Sequence, residues 1–411
     1  MLEEPFMAPL YKPNDELVEI DLQPLFYDVW ASADGPAPRD AKWGSIIRRV
    51  GKLLNERPVA AKTRKPFDAT NTVMDIQLEG GDMAFVRVLK WRVDNLEDRV
   101  ELWNCARFSA ELSILRWLED NASGLLVPRV LAFDDANGYG LLVTTVLPGL
   151  DAMHSYPHLS GVAKEHSVVS WARIAVLMFR IPAPQQFVNP LSKRRQYFHV
   201  SPEHTFDTDD RTDLLSFFKS AIATRSARSL KIVNHGEQEH ALLCSRLGRL
   251  LKGLTPFIAD AQKTPAMSRF TLTHRDLNPE NILLNETSGE VVGIVDWEYS
   301  CRMPACMSAD YPSWIRTDIQ GSPLYRNQES GLLTFYHEPR GERNRLCDLY
   351  EKVVKELDEE YYACLLNGIR LRDALTWIED AHCYDHDGLY MERWIQNHLF
   401  STVHETDHRS C

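Results

Sequence analysis

Three side chains in the stretch from Thr271 to Glu298, TLTHRDLNPENILLNETSGEVVGIVDWE, have the types and spacing to hold a metal ion and move a proton: Asp276, Asn281 and Asp296. Two apolar runs, Ile282 to Leu284 and Val291 to Val295, flank a polar turn containing Gly289, which is the pattern of a β-hairpin. Folding that hairpin near Ser288 and Gly289 sets Asn281, at the start of one strand, opposite Asp296, at the end of the other. Directly opposed residues of an antiparallel pair have Cβ atoms roughly 4.5 to 5.5 Å apart, so a carboxamide oxygen and a carboxylate there can share one hard cation such as Mg²⁺. Asp276 precedes the hairpin and need not be a ligand; a carboxylate beside the metal can accept the proton of an attacking hydroxyl.

Such a hairpin needs a scaffold, and the rest of the chain supplies the patterns for one. In TVMDIQLE, Met74, Ile76 and Leu78 alternate with polar residues, the mark of a half-buried strand, and Gly80-Gly81 turns it into a second strand from Met83 to Trp91. On that strand Phe85, Arg87 and Leu89 share one face. A helix follows from about Leu102 to Leu118, with Phe108, Leu112, Leu115 and Leu118 as its apolar stripe. Glu111 falls inside the stripe, where an ionised carboxylate is costly unless a cation meets it; Arg87 and Lys90 on the preceding strand are the candidates. The bland alternative is that Glu111 reaches solvent and Arg87 stands in a surface ladder. Tyr139 to Leu150 reads as a buried strand ending at Pro148-Gly149. The spacing of Trp171, Ile174, Met178 and Ile181 predicts a helix from Ser167 to Ile181, stopped by Pro182. Further amphipathic helices are expected over 213–223 and 237–258. The last hundred residues read as helical, with Leu346, Leu349, Val353 and Leu357 on one face.

Composition bounds what this scaffold can serve. At 411 residues, 44% hydrophobic and 25% charged, the chain is that of an ordinary globular protein with room for two lobes. A net charge of −12 argues against nucleic acid or an anionic membrane surface as partner. No apolar run reaches the roughly 20 residues of a membrane span, and the acidic first forty residues do not resemble a targeting segment. The eight cysteines are scattered without framework spacing, which suits reduced thiols in the cytoplasm, and the Cys301/Cys306 pair lacks the partners of a zinc site.

HRDLNPEN followed by IVDWE resembles the catalytic segment of the protein-kinase-like superfamily, in its aminoglycoside phosphotransferase and choline kinase branch of small-molecule kinases. WARIAVLMFRIPAP is similar to the fungal members of that group. The resemblance implies an α+β, bilobed fold: an extension over 1–60, a small antiparallel-sheet lobe over 61–147, and a large helical lobe over 148–411 carrying the catalytic hairpin. It implies an ATP- and Mg²⁺-dependent transfer of phosphate to a hydroxyl of a small-molecule acceptor. Asp276 would then be the base within a catalytic segment that includes His274 and Arg275, and Asn281 and Asp296 the metal ligands. Arg87 rather than Lys90 would contact the nucleotide phosphates, paired with Glu111, and backbone groups at Thr145, Val146 and Leu147 would meet adenine. Trp297 and Glu298, standing where protein kinases carry Phe-Gly, would border the acceptor pocket. The segment after Glu298 lacks Ala-Pro-Glu and resembles the short loop and helix that close the acceptor pocket in this branch. One departure stands out: KPFDATNTV, where a phosphate-covering loop should lie, has no glycine. A kinase-like protein with weak or no catalysis, binding a nucleotide or a partner, is therefore the competing reading.

Overall fold

In the computed structural model, which describes residues 18–19, 43–64, 71–89, 111–134, 140–183, 213–229, 237–316, 338–384 and 389–400, the chain divides into two units. One is Met1–Leu150 with Val292–Glu298; the other is Asp151–Val291 with Tyr299–Cys411.

The first unit rests on an antiparallel sheet. Its elements are β1 (Val18–Glu19), α1 (Trp43–Leu54), β2 (Pro58–Arg64), β3 (Asn71–Leu78), β4 (Met83–Leu89), α2 (111–121), β5 (Val130–Asp134) and β6 (Gly140–Thr145). The six strands lie in the order β1-β2-β3-β4-β6-β5. The two-residue alternation of β3 and β4 sends Met74, Ile76, Leu78, Ala84, Val86 and Val88 into one core, joined by Leu141 and Val143 of β6. Ile46, Ile47 and Val50, one helical stripe of α1, pack on that core, so residues 43–54 belong to the body of this unit. The register pairs Arg87 with Val73 on one side and Leu142 on the other, which centres Arg87 in the sheet on the face away from Val86 and Val88. In α2, Leu112, Ile114, Leu115 and Leu118 are buried, and so is Glu111. Lys90, Phe108 and the glycine-free stretch 65–70 lie outside the described residues.

From Leu150 onward the chain is mainly helical. The elements are β7 (Leu150–Asp151), α3 (Ala152–Ser155), α4 (Gly161–Arg180), α5 (Leu214–Ser229), α6 (Glu237–Ala261), α7 (Pro265–Ser268), β8 (Phe270–Thr273), β9 (Ile282–Leu284), β10 (Val291–Ile294), β11 (Cys301–Pro304), α8 (Arg340–Leu357), α9 (Glu359–Asn367), α10 (Ile369–Tyr384) and α11 (Leu389–Ile395). The hairpin read from the sequence is β9 and β10, neighbours in a three-stranded sheet of order β10-β9-β7. The division between the units runs through β10.

Several sequence expectations change. Helix α4 begins at Gly161 rather than near Ser167, with Ser160 as the N-cap accepting from the Ala163 amide at 3.2 Å. Its first turns carry Lys164, Glu165 and His166, so an apolar stripe could not mark them; buried Lys164 is paired instead with buried Glu338 at 2.6 Å. Ser167 is interior and donates to the Lys164 carbonyl. In α8 the buried face is Leu346, Cys347, Tyr350 and Val354, while Leu357 is exposed. Tyr350 rotates that face because its hydroxyl has buried partners, the Asp310 carbonyl at 3.0 Å and Tyr361 at 2.7 Å. The segment after Glu298 forms β11, antiparallel to β8, then one 3₁₀ turn, Ala305–Met307, rather than a loop and helix.

Gly289 closes the hairpin turn at φ 74°, and a Cβ there would stand 2.0 Å from the Ala163 carbonyl oxygen of α4. The Gly289→Ala variant should therefore lose more than the ~1–2 kcal/mol that a left-handed L-residue costs by itself. A lower urea midpoint reads this out; an unchanged midpoint would mean that the turn does not pack on α4.

Candidate active site

Strand β8, held by β11 through the pairs Thr273–Cys301 and Leu272–Arg302, delivers the chain to His274, Arg275 and Asp276. Arg275 then adopts φ 67°, a left-handed conformation that costs roughly 1–3 kcal/mol in a non-glycine residue and collects at functional sites. It breaks the extended path and lets the Asp276 amide donate back to His274 Nδ1 at 3.2 Å. As acceptor there, Nδ1 is unprotonated, so a neutral His274 carries its proton on Nε2. The Arg275 side chain is anchored by an ion pair with Glu379 of α10.

The Asp276 carboxylate is oriented by two amides. Asn281 Nδ2 donates at 2.8 Å to both the Asp276 carbonyl and Oδ2, and Asn278 Nδ2 donates to Oδ1 at 3.1 Å. Asn278 owes its position to the 3₁₀ turn Pro279–Asn281, which it caps by accepting from the Glu280 amide. With its NH₂ directed at two acceptors, the Asn281 amide has its Oδ1 on the other side, a hard oxygen suited to a cation. An amide donates to each Asp276 oxygen, which fixes the group in place while leaving it a carboxylate, the form that can take a proton.

In the first unit, the end of β10 leads to Asp296, Trp297 and Glu298. Asp296 is also left-handed, at φ 65°. Neither Asn281 nor Asp296 is a ladder residue: the first ends a 3₁₀ turn and the second lies beyond Ile294. Regular hairpin register therefore does not describe this pair, because both chains leave β geometry there.

Trp297 is buried, with its indole N–H donating to the Ile294 carbonyl at 3.0 Å, and it wedges the turn that aims Asp296 and Glu298. Glu298, 5% exposed, accepts from Arg87 Nη2 at 3.1 Å. The other arm of the Arg87 fork, Nη1, pairs with Glu111 and lies 3.9 Å from Asp296 Oδ1. Glu298 is thus part of a buried ionic cluster in this unit, and Trp297 precedes it in the same turn. Burial pulls the Arg87 guanidinium down, but Glu111, Glu298 and Asp296, in that order, outweigh it and hold the group above its ordinary value.

Asp296, at 31% the most exposed of these three carboxylates, has oxygens of the kind that a hard divalent cation takes. Among the described residues no group of three or more His, Cys, Asp or Glu is set to hold a metal ion alone. A cation on Asp296 would complete its shell with phosphate oxygens and water, which is how Mg²⁺ is ordinarily held.

Thr145 ends β6, where its amide donates to the Arg129 carbonyl at 2.9 Å and its hydroxyl accepts from the Arg129 amide at 3.0 Å. Its N–H is thereby engaged, and the following Val146 and Leu147, half-buried, lie beyond the strand. The pairing of Arg87 with Glu298 and the grip of Asn278 on Asp276 were not foreseen. An Asn directly before Pro279 is a cap signal that pointed to the second; nothing local in sequence links residues 87 and 298.

A family model described as "Phosphotransferase enzyme family" matches residues 96–307, just over half of the chain. The clavilactone A biosynthesis cluster protein Y of Ampulloclitocybe clavipes is 25% identical over 408 residues, which cover 95% of this chain and 95% of that protein. Among solved structures, a putative fructosamine-3-kinase from Thermobifida fusca is 15% identical, covers 86% of this chain and 96% of its own, and superposes with a TM-score of 0.51. That likeness shows the fold: α+β and bilobed, with a small antiparallel sheet in one lobe and helices in the other, of the protein-kinase-like kind.

Proposed function

We propose that this chain, which belongs to the phosphotransferase enzyme family, moves the terminal phosphoryl group of ATP to a hydroxyl of a small molecule, with Asp276 as the base. The observation that carries the reading is the grip of two amides on Asp276, Asn278 on one carboxylate oxygen and Asn281 on the other and on the backbone carbonyl, which orients a carboxylate without neutralising it. Mg-ATP, when bound, supplies the phosphoryl group and a cation that offsets its charge. Asp296 and Asn281 Oδ1 are the ligands proposed for that cation, and Arg87, steadied by Glu111 and Glu298, the clamp on the nucleotide phosphates. Val146 and Leu147 are proposed to meet adenine through their backbone. Asp276 holds the acceptor hydroxyl in line and takes its proton as the bond to phosphorus forms.

The relative named for a biosynthesis cluster supports seeking the acceptor among biosynthetic intermediates. The free thiols of Cys244, Cys301, Cys306, Cys347 and Cys364 suit a reducing compartment such as the cytoplasm. No helix among the described residues is long and apolar enough to cross a membrane.

Millimolar Mg-ATP is expected to raise the melting temperature of the wild type, and Asp296→Ala to abolish the rise. No shift for the wild type removes the enzyme reading. A shift without transfer to any component of a metabolite extract, followed by mass spectrometry with labelled ATP, favours a nucleotide-binding module.

A further inference from the structure

The second unit contains a cavity of about 280 Å³ whose lining does not include Asp276. Thr273, Arg275 and Leu277 line it, and Asp276, between them in sequence, does not. A molecule held there lies beside the proposed base, not against its carboxylate.

The lining has three properties that together select an occupant. Its ionic groups are already matched: Arg275 is paired with Glu379, Arg316 with Asp310 at 2.9 Å, and Arg372 stands 3.7 Å from the other Asp310 oxygen, with Asp373 3.8 Å from Arg316. With Asp373, which stands behind the lining rather than in it, three cations face three carboxylates, so an added ion finds no complement and would lose its hydration. By contrast, three lining residues carry a buried neutral polar atom without a hydrogen-bond partner: Thr273 Oγ1, Ser313 Oγ and Trp171 Nε1. Buried polar groups are nearly always satisfied, and those that are not point to a bound molecule that meets them. The indole needs an acceptor; the two hydroxyls take either a donor or an acceptor. Met178, Met307 and Leu375 complete the wall with apolar surface, the mixture found in small-molecule sites.

We propose that this cavity is a binding site, separate from the site of transfer, for an uncharged small molecule with an apolar ring-sized body and two or more hydroxyl or carbonyl oxygens. A hydrocarbon would leave the indole and both hydroxyls unmet. A charged ligand would unbalance the paired ions.

The test uses the full chain and three probes of similar size that differ in charge: 4-hydroxybenzyl alcohol (neutral), 4-hydroxybenzoate (anionic) and tyramine (cationic). Tryptophan fluorescence and melting temperature are followed without nucleotide. The neutral probe should bind saturably and raise the melting temperature, and the two ions should bind about tenfold more weakly or not at all. Ala175→Leu, which fills the cavity, should abolish binding. Thr273→Val and Ser313→Ala should weaken it while the free proteins melt no lower than the wild type, because each removes an unmet hydroxyl; these two carry the test if Ala175→Leu does not fold. Binding should persist in Asp276→Asn and under saturating Mg-ATP. The proposal is overturned by absent saturation, by equal affinity for the charged probes, by binding that survives every one of the three cavity variants, or by phosphorylation of the neutral probe in the presence of Mg-ATP. The last result would make the cavity the acceptor pocket. Because binding is read without nucleotide, failure here and failure of the phosphotransfer reading are distinct results.

Discussion

Replacing Asp276 by Asn should lower kcat by about two to four orders of magnitude, the usual contribution of a positioned general base, and leave the Mg-ATP-induced rise in melting temperature intact. The geometry sharpens the expectation. In the wild type one amide donor meets each carboxylate oxygen, from Asn278 on one side and Asn281 on the other. An amide at 276 offers a single oxygen, so one of those two donors must face another NH₂ group. The variant thus loses both its basicity and part of its fixed orientation, while the fold around it is retained. Turnover within about tenfold of the wild type, measured on the acceptor returned by the metabolite screen, would show that another group takes the proton.

The largest effect on stability is expected at Arg87. Its side chain is 12% exposed and joins Glu111, at the described start of α2, to Glu298, at the end of the hairpin. Arg87→Met keeps an apolar stem but removes the guanidinium that Glu111, Glu298 and Asp296 share. Breaking a buried ion pair from one side costs about 3–5 kcal/mol, because the surviving charges stay desolvated. For a unit of this size that is a fall in melting temperature on the order of 10 °C. Arg87→Lys should fall between, since one ammonium cannot reproduce a fork whose two arms reach different carboxylates. Glu298→Gln should cost less than Arg87→Met, as Arg87 keeps Glu111. If Arg87→Met melts with the wild type, the cluster does not hold the unit together.

Reading the sequence worked where one short period decides the structure. Strands β3 and β4 follow a two-residue alternation with one face in the core, and their burial repeats the letters of the sequence. The core position of Glu111 was legible for the same reason, as one acid inside an apolar stripe. Legibility failed where a polar residue is buried through a partner far along the chain. Lys164 and Glu338 hide the start of α4, and the Tyr350 hydroxyl, satisfied by Asp310 and Tyr361, turns α8 away from the face its leucines suggest. At the candidate site the residue types were readable but the backbone was not. Left-handed Arg275 and Asp296 leave no trace in periodicity, and they displace the ideal hairpin register that the strand letters imply. The role of Glu298 was out of reach because its partner lies 211 residues away.

The choice of arginine at position 87 has a consequence for chemical labelling. Its three acidic neighbours keep the guanidinium protonated, so it has no nucleophilic lone pair to offer at any working pH. Acyl-phosphate nucleotide reagents, which capture the ε-amine of a lysine in the phosphate clamp, should leave this residue unmodified. Given the clamp role proposed for Arg87, a proteome-wide survey relying on such reagents would miss the protein at this residue, whereas Arg87→Lys should become reactive.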